Sequence, residues 1–286
     1  MLEIRNLFKF ENQNIILNNI NLKLNKGDIL AIVGPTGSGK TCLLKCLVKL
    51  NKYDKGEIYF NDNIIINNNE LGFLPSEIKL YKKSKIKSLI EYNDTFYDYD
   101  TLTKAEELIK ILNLDVEKKI EELVFSELKK LGLVLTLMHE PKIITLDEPV
   151  KGLNPKDKDK VFTILNTEKK KGNIIILASS NLNDARGISN KIAFMINGSI
   201  LDVGYAHKLN TKNYYNIRIK AKNIKKVNFD LKKMKIKKMS NDFVECILCD
   251  KISNFIALIS NLEIEYLYIE EPPLEELINY FYNRKD

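Results

Sequence analysis

Residues Gly34 to Thr41 read "GPTGSGKT" and follow directly on the apolar run "ILAIV". A loop bounded by glycines, then Lys-Thr, set between a strand-like run and the helix-like "KTCLLKCLVKL", is a pattern that wraps a phosphate chain. Gly34, Gly37 and Gly39 let the backbone turn tightly, with Pro35, Thr36 and Ser38 between them, so that successive N–H groups face an anion at a helix N-terminus. Lys40 adds a point charge for the outer phosphates, and the Thr41 hydroxyl is a ligand for Mg²⁺. Such a site also needs a carboxylate at the end of a buried strand. "KIITLDEP" offers Asp147 for the metal and Glu148 to polarise an attacking water. Taken alone, "DE" before a proline is a strand end with exposed acids; beside the glycine loop it reads as the second half of a phosphate site.

Positioning these residues takes a sheet with helices around it. "LEIRNLFKF" and "IILNNINLKL" read as strands joined through a turn, and "ILAIV", "KIITLD" (142–147) and "NIIILASS" (173–180) as strands buried on both faces. "KDKDKVFTILNTEKKK" falls between the last two as a helix, and "KIAFMINGSILDVG" as a hairpin turning at Asn197-Gly198. From about Leu80 to Met138 the pattern is helical and charged, most clearly in "TKAEELIKILNL". Alternating strands and helices imply an α/β core with a mostly parallel sheet. After about Leu209 the character changes. "YYNIRIKA", "DFVECILC" and "EIEYLYIEE" alternate like strands, while "KISNFIALISNL" and "PLEELINYFY" repeat like helices. Two domains are expected: 1–209, with a helical part at about 77–138, and a small α+β domain at 210–286.

With 286 residues, 44% hydrophobic and 29% charged, the chain can bury a sizeable core. The net charge of +7 comes from lysine, since only Arg5, Arg186, Arg218 and Arg284 are arginine. Lysines are spread over every segment, and those from Lys225 to Lys238 read as a solvated face, so no nucleic-acid partner is expected. No run reaches the roughly 18 apolar residues of a membrane helix, and "MLEIRNLFKF" lacks a signal-peptide core. A cytoplasmic chain is therefore expected, reaching a membrane through a partner. The four cysteines imply no metal site: Cys42 and Cys46 share a helix face, while Cys246 and Cys249 fall on opposite faces of a strand.

Over nearly its whole length the chain resembles the ATP-binding subunits of bacterial ABC transporters. "LNNINLKLNKGDILAIVGPTGSGKT" is similar to the family's entry into its first motif and "LMHEPKIITLDEP" to its second. "LGFLP" resembles the start of the Q-loop, "KGLNP" the D-loop and "KIAFMINGSIL" the strand pair after the switch residue. "FYDYDTLTKAEELIKILNLDVEKKIEEL" and the ending "EEPPLEELINYFY" resemble exporter subunits of the bacitracin and multidrug class. The resemblance implies a P-loop NTPase core with an antiparallel β subdomain and a helical subdomain. It also implies ATP and Mg²⁺ as ligands and two ATPase subunits, as homo- or heterodimer, sandwiching two ATP molecules. The pair would drive export through a separate transmembrane permease at the inner face of the cell membrane. Phe10 is expected to stack on adenine, with Phe8 as the alternative.

Several positions depart from the family pattern. The signature L-S-G-G-Q is replaced by "LVFSE", Leu123 to Glu127, without its glycines; Ser126 could still cap the helix "ELKKLGLVLTL". Ser76 stands in the Q-loop glutamine position, Asn181 in the switch-histidine position, Asn154 in the D-loop aspartate position, and Cys42 follows Thr41 where a hydroxyl is usual. Elements that bind Mg-ATP within one subunit are intact, and elements that sense the γ-phosphate or act across the dimer are altered. Nucleotide binding is therefore expected to persist with slow turnover, and a degenerate nucleotide-sensing subunit is the alternative reading.

Overall fold

A strand with neighbours on both sides and helices on both faces must be apolar throughout. Three runs of the first unit meet that demand and set its centre. The computed structural model describes residues 1–61, 68–205, 214–227, 229–230 and 233–272. The chain divides into two units, Met1–His207 and Lys208–Asp286.

In the first unit β1 (Leu2–Glu11) and β2 (Asn14–Leu24) are followed by β3 (Ile29–Val33), α1 (Lys40–Leu47) and β4 (Lys55–Phe60). Next come β5 (Leu71–Leu74), α2 (Ile86–Asp94), α3 (Leu102–Leu112), α4 (Phe125–Leu137) and β6 (Ile143–Asp147). The unit ends with α5 (Pro155–Lys170), β7 (Ile174–Ser179), α6 (Leu182–Ile188), β8 (Lys191–Ile196) and β9 (Ser199–Tyr205). A six-stranded sheet has the order β5-β6-β7-β3-β8-β9, parallel except for β9, and a three-stranded antiparallel sheet has the order β2-β1-β4. Every residue of β3, β6 and β7 is buried. At about 1.5–3 kcal/mol for each fully buried large aliphatic side chain, these strands are a main source of stability. The β8–β9 hairpin turns at Asn197 and Gly198, both with positive φ, as its Asn-Gly sequence requires.

Parallel order puts the carboxyl ends of β5, β6, β7 and β3 on one edge, the usual place for a ligand in such sheets. Two boundaries differ from expectation. The sequence reading passed over β4, the third member of the antiparallel sheet. Helix α4 begins at Phe125 with Val124 as its N-cap, so Ser126 lies inside the first turn and does not cap it. The Glu127 carboxylate accepts the Val124 N–H at 3.1 Å instead, closing the helix end without a serine.

In the second unit β10 (Tyr214–Ala221), β11 (Met234–Met239), β12 (Phe243–Cys249), α7 (Ile252–Ile259) and β13 (Ile264–Glu270) follow in turn. The strands form an antiparallel sheet of order β11-β12-β10-β13. Ile217, Ile219, Val244, Cys246 and Phe255 make its core, with Cys249 only partly covered, so the C-x-x-C does divide between faces. The helix expected in "PLEELINYFY" lies outside the described residues.

Candidate functional site

β3 ends at Val33, and the loop that follows crosses the carboxyl edge of the sheet before α1 starts at Lys40. Gly37 and Gly39 have φ of 84° and 102°, which a side chain would resist. A Cβ on Gly34 would collide with the Met195 carbonyl oxygen, so the loop's entry also requires glycine. Beyond Gly37 there is open space within 4 Å of where a Cβ would stand. The loop borders a cleft of about 470 Å³, whose walls include Thr36, Gly37, Gly39, Lys40, Thr41 and Cys42. Pro35 and Ser38 support the loop from behind, as Ser38 N–H donates to the Pro35 carbonyl at 3.2 Å.

Lys40 is 8% exposed, and its ammonium donates to the Gly34 and Pro35 carbonyls at 2.7 and 2.8 Å. Burial lowers its pKa from the ordinary lysine value, and the charges of Glu148 and Asp147 oppose that shift. Thr41 Oγ1 donates to Asp147 Oδ2 at 2.8 Å, joining the start of α1 to the end of β6. Two oxygen donors held side by side, one anionic, fit a hard divalent cation such as Mg²⁺.

Glu148 follows Asp147 with φ of 52°, a left-handed conformation that costs a non-glycine residue about 1–2 kcal/mol. Two hydrogen bonds hold it there. Its N–H donates to the Ala178 carbonyl at 3.0 Å, and its Oε1 accepts the Ser180 N–H at 2.8 Å. Backbone strain of this kind gathers at functional sites, where a side chain must be aimed into a cleft. Asp147 and Glu148 at the end of β6, Ser180 after β7 and Ser76 after β5 line the same cleft, so with the loop after β3 four strand ends converge on it.

Three expected residues sit differently. Asn181 is the N-cap of α6, its Oδ1 accepting the Asn183 and Asp184 N–H groups at 2.8 and 3.1 Å, and it is not part of the cleft wall. Phe10 is 37% exposed and stacked on Phe8 at 6.4 Å; Glu11 and Ile16, not Phe10, form that end of the wall. Asn154 caps α5 by accepting the Asp157 N–H at 2.9 Å. At the signature position Phe125 is 52% exposed and packs against Gly152, where an added Cβ would meet its ring at 2.7 Å. Glu127, at the end of the same segment, is paired with Lys118 at 2.9 Å.

Sequence reasoning missed Glu11, Lys45, Asn51 and Lys151 on the wall, and Lys129 behind it. A lysine pair opening the otherwise apolar helix "FSELKKLGLVLTL" was the available signal for Lys129, because lysine is seldom buried unless compensated. Cys42 is half-buried on the wall. Its hydrogen bond with Cys46 pulls its thiol down to about 7, and the same bond with burial pushes the Cys46 thiol up.

Residues 17–151 match the family model described as ABC transporter. The chain is similar to the lantibiotic transport ATP-binding protein SrtF of Streptococcus pyogenes, 28% identical over 223 residues, covering 77% of this chain and 97% of SrtF. It is 29% identical over 209 residues to the ABC transporter ATP-binding protein YtrB of Bacillus subtilis, 71% of each chain. Among solved structures, the ATP-binding cassette MJ0796, a dimer in a post-hydrolysis state bound to ADP and Pi, superposes with a TM-score of 0.65 at 20% identity. That match covers 72% of this chain and 99% of MJ0796, and shows a shared P-loop NTPase fold. Residues 17–151 thus carry an ABC transporter domain on a cassette fold, and over more than 70% of its length the chain is similar to ATP-binding subunits of ABC transporters.

Proposed function

We propose that the chain binds Mg-ATP along the Gly34–Thr41 loop and hydrolyses it to drive export through a separate transmembrane permease. The observation that carries this reading is the Thr41–Asp147 hydrogen bond at the foot of the glycine loop, with Lys40 and Glu148 on either side. Loop N–H groups and Lys40 would hold the phosphates, Thr41 and Asp147 would hold Mg²⁺, and Glu148 would orient a water. Bound Mg²⁺ would supply charge neutralisation on the phosphates. Lys40 now donates to two carbonyls of its own loop, a pair of bonds that phosphate oxygens would replace with charge-assisted ones.

A second ATPase subunit, identical or not, is the expected partner; since Val124 and Phe125 occupy the signature position without glycines, a different subunit with an intact signature would restore the site built on Lys40 and Glu148. No described helix is long and apolar enough to cross a membrane, so attachment at the inner face would come through the permease. The position of Asn181 favours the second reading, a nucleotide-sensing subunit with little hydrolysis, since the residue in the switch-histidine position caps α6 and is not part of the cleft wall.

ATP binding and turnover, followed over a range of protein concentrations, test the proposal. Turnover that rises more steeply than protein concentration and disappears in Glu148→Gln supports a homodimeric ATPase. Binding that needs Lys40 but yields no turnover supports the sensor, or dependence on a different subunit. Absence of binding overturns the site.

A further inference from the structure

Lys129 lies in α4 at 2% exposure, far more enclosed than a lysine tolerates without compensation. Its ammonium donates to the Pro75 carbonyl at 3.1 Å and to the Asp147 carbonyl at 3.3 Å, and lies 6.0 Å from the centre of the Phe125 ring. Those carbonyls stand at the carboxyl ends of two adjacent parallel strands, β5 and β6. The next residue on one is Ser76, and on the other Glu148, both on the cleft wall. One buried cation thus connects the helix at the signature position to the two strand ends that carry the altered Q-loop position and the carboxylate. Burying an ammonium costs several kcal/mol, and a methionine would fill the same apolar helix face without that cost. The charge therefore has to be useful where it stands.

We propose that Lys129 is a positioning residue for ATP hydrolysis, holding the peptides before Ser76 and Glu148 in register and transmitting movements of α4 to the Glu148 carboxylate. This rests on the reading of the cleft as an ATPase site. Lys129 does not itself line the cleft or reach the glycine loop, and it meets the wall only through the Asp147 backbone carbonyl, so its effect is expected on the chemical step more than on nucleotide affinity.

The test uses the full chain with Lys129→Met, Lys129→Gln and Lys129→Arg. It measures Mg-ATP affinity, turnover, and hydrogen exchange of the amides at residues 76–77 and 148–149. The methionine variant is expected to keep ATP affinity within about threefold while kcat falls about tenfold or more, as for loss of an interaction that matters only in the transition state. Exchange at both strand ends should rise about tenfold, with residues 36–41 unchanged, as local opening there becomes easier. Arginine should restore part of kcat, and glutamine serves if methionine prevents folding. Adding Glu148→Gln to Lys129→Met should cost little more, because the two act through one group. A parallel loss of affinity, a kcat within about twofold of wild type, or multiplicative effects with Glu148→Gln overturns the proposal. If the wild type binds ATP without hydrolysing it, the ATPase reading falls by itself. Exchange then decides the tether, and unchanged strand ends overturn it.

Discussion

Lys40 is held by opposing forces. Burial disfavours its charge, while Asp147 and Glu148 favour it, and in the present arrangement its donors are spent on its own loop. An ammonium so placed adds strength to an anion contact but little to the packing. Lys40→Ala is expected to weaken Mg-ATP binding by about tenfold or more, read by nucleotide titration, with the melting temperature nearly unchanged. Glu148 should behave in the opposite way. Its strained backbone belongs to the residue's position and not to its charge, so Glu148→Gln keeps the geometry and ATP affinity while turnover falls about a hundredfold or more. Cys42 allows a third prediction at this scale. Thiolate is the reactive form, and hydrogen bonding to Cys46 brings the Cys42 thiol to about 7. Iodoacetamide should label Cys42 at a rate that climbs as pH passes about 7 and levels off above it, while Cys46, buried and pushed up, stays unlabelled. Saturating Mg-ATP should slow the reaction, because Cys42 is on the cleft wall. Peptide mass spectrometry resolves the sites, and a rate still climbing above pH 8.5 would show that the thiol–thiol hydrogen bond does not govern Cys42.

Elements decide which of these residues could be found in advance. The glycine loop was legible because its chemistry is local: β3, the turn and α1 are contiguous, and the apolar run and the glycines each demand their conformation. Asp147 was legible because a strand buried on both faces must be apolar until it emerges. Lys129 was not, since its partners Pro75 and Asp147 lie 54 and 18 residues away in sequence. The start of α4 was misread for a related reason. Val124 is a poor cap by type, and the Glu127 back-bond that replaces a serine depends on a rotamer that no pattern records. Asn154 shows the reverse case, a residue noted as a departure in a functional loop that has a plain structural task. It accepts the Asp157 N–H at the head of α5, with Pro155 at the first helical position. Asn154→Ala should cost about 1 kcal/mol, and Asn154→Asp should recover only part of that, because an aspartate still accepts the Asp157 N–H but replaces the Nδ2 donor to Asp157 Oδ2 at 3.0 Å with a second carboxylate. The alanine change should lower the thermal midpoint of the first unit by about 2–4 °C, and a larger loss would mean that the turn before α5 does more than cap.

At the scale of the molecule, two cores are built from separate sequences. One packs strands and α1 of Met1–His207, and the other packs β10 to β13 against α7 in Lys208–Asp286. Every residue of the cleft wall, from Glu11 to Ser180, belongs to the first unit, as do Lys129 and its two carbonyl partners. A unit of that length can bury enough surface to fold by itself. A fragment ending at His207 is therefore expected to unfold cooperatively and to bind Mg-ATP within about threefold of the full chain, measured by calorimetry, since affinity follows the groups that contact the ligand. The same fragment separates two tasks for the second unit. Turnover lost at unchanged affinity would assign Lys208–Asp286 to the pairing of subunits, because a site completed by a second subunit fails when pairing fails even though each half still binds. Affinity lost by more than about tenfold would instead mean that the second unit contributes directly to the nucleotide site.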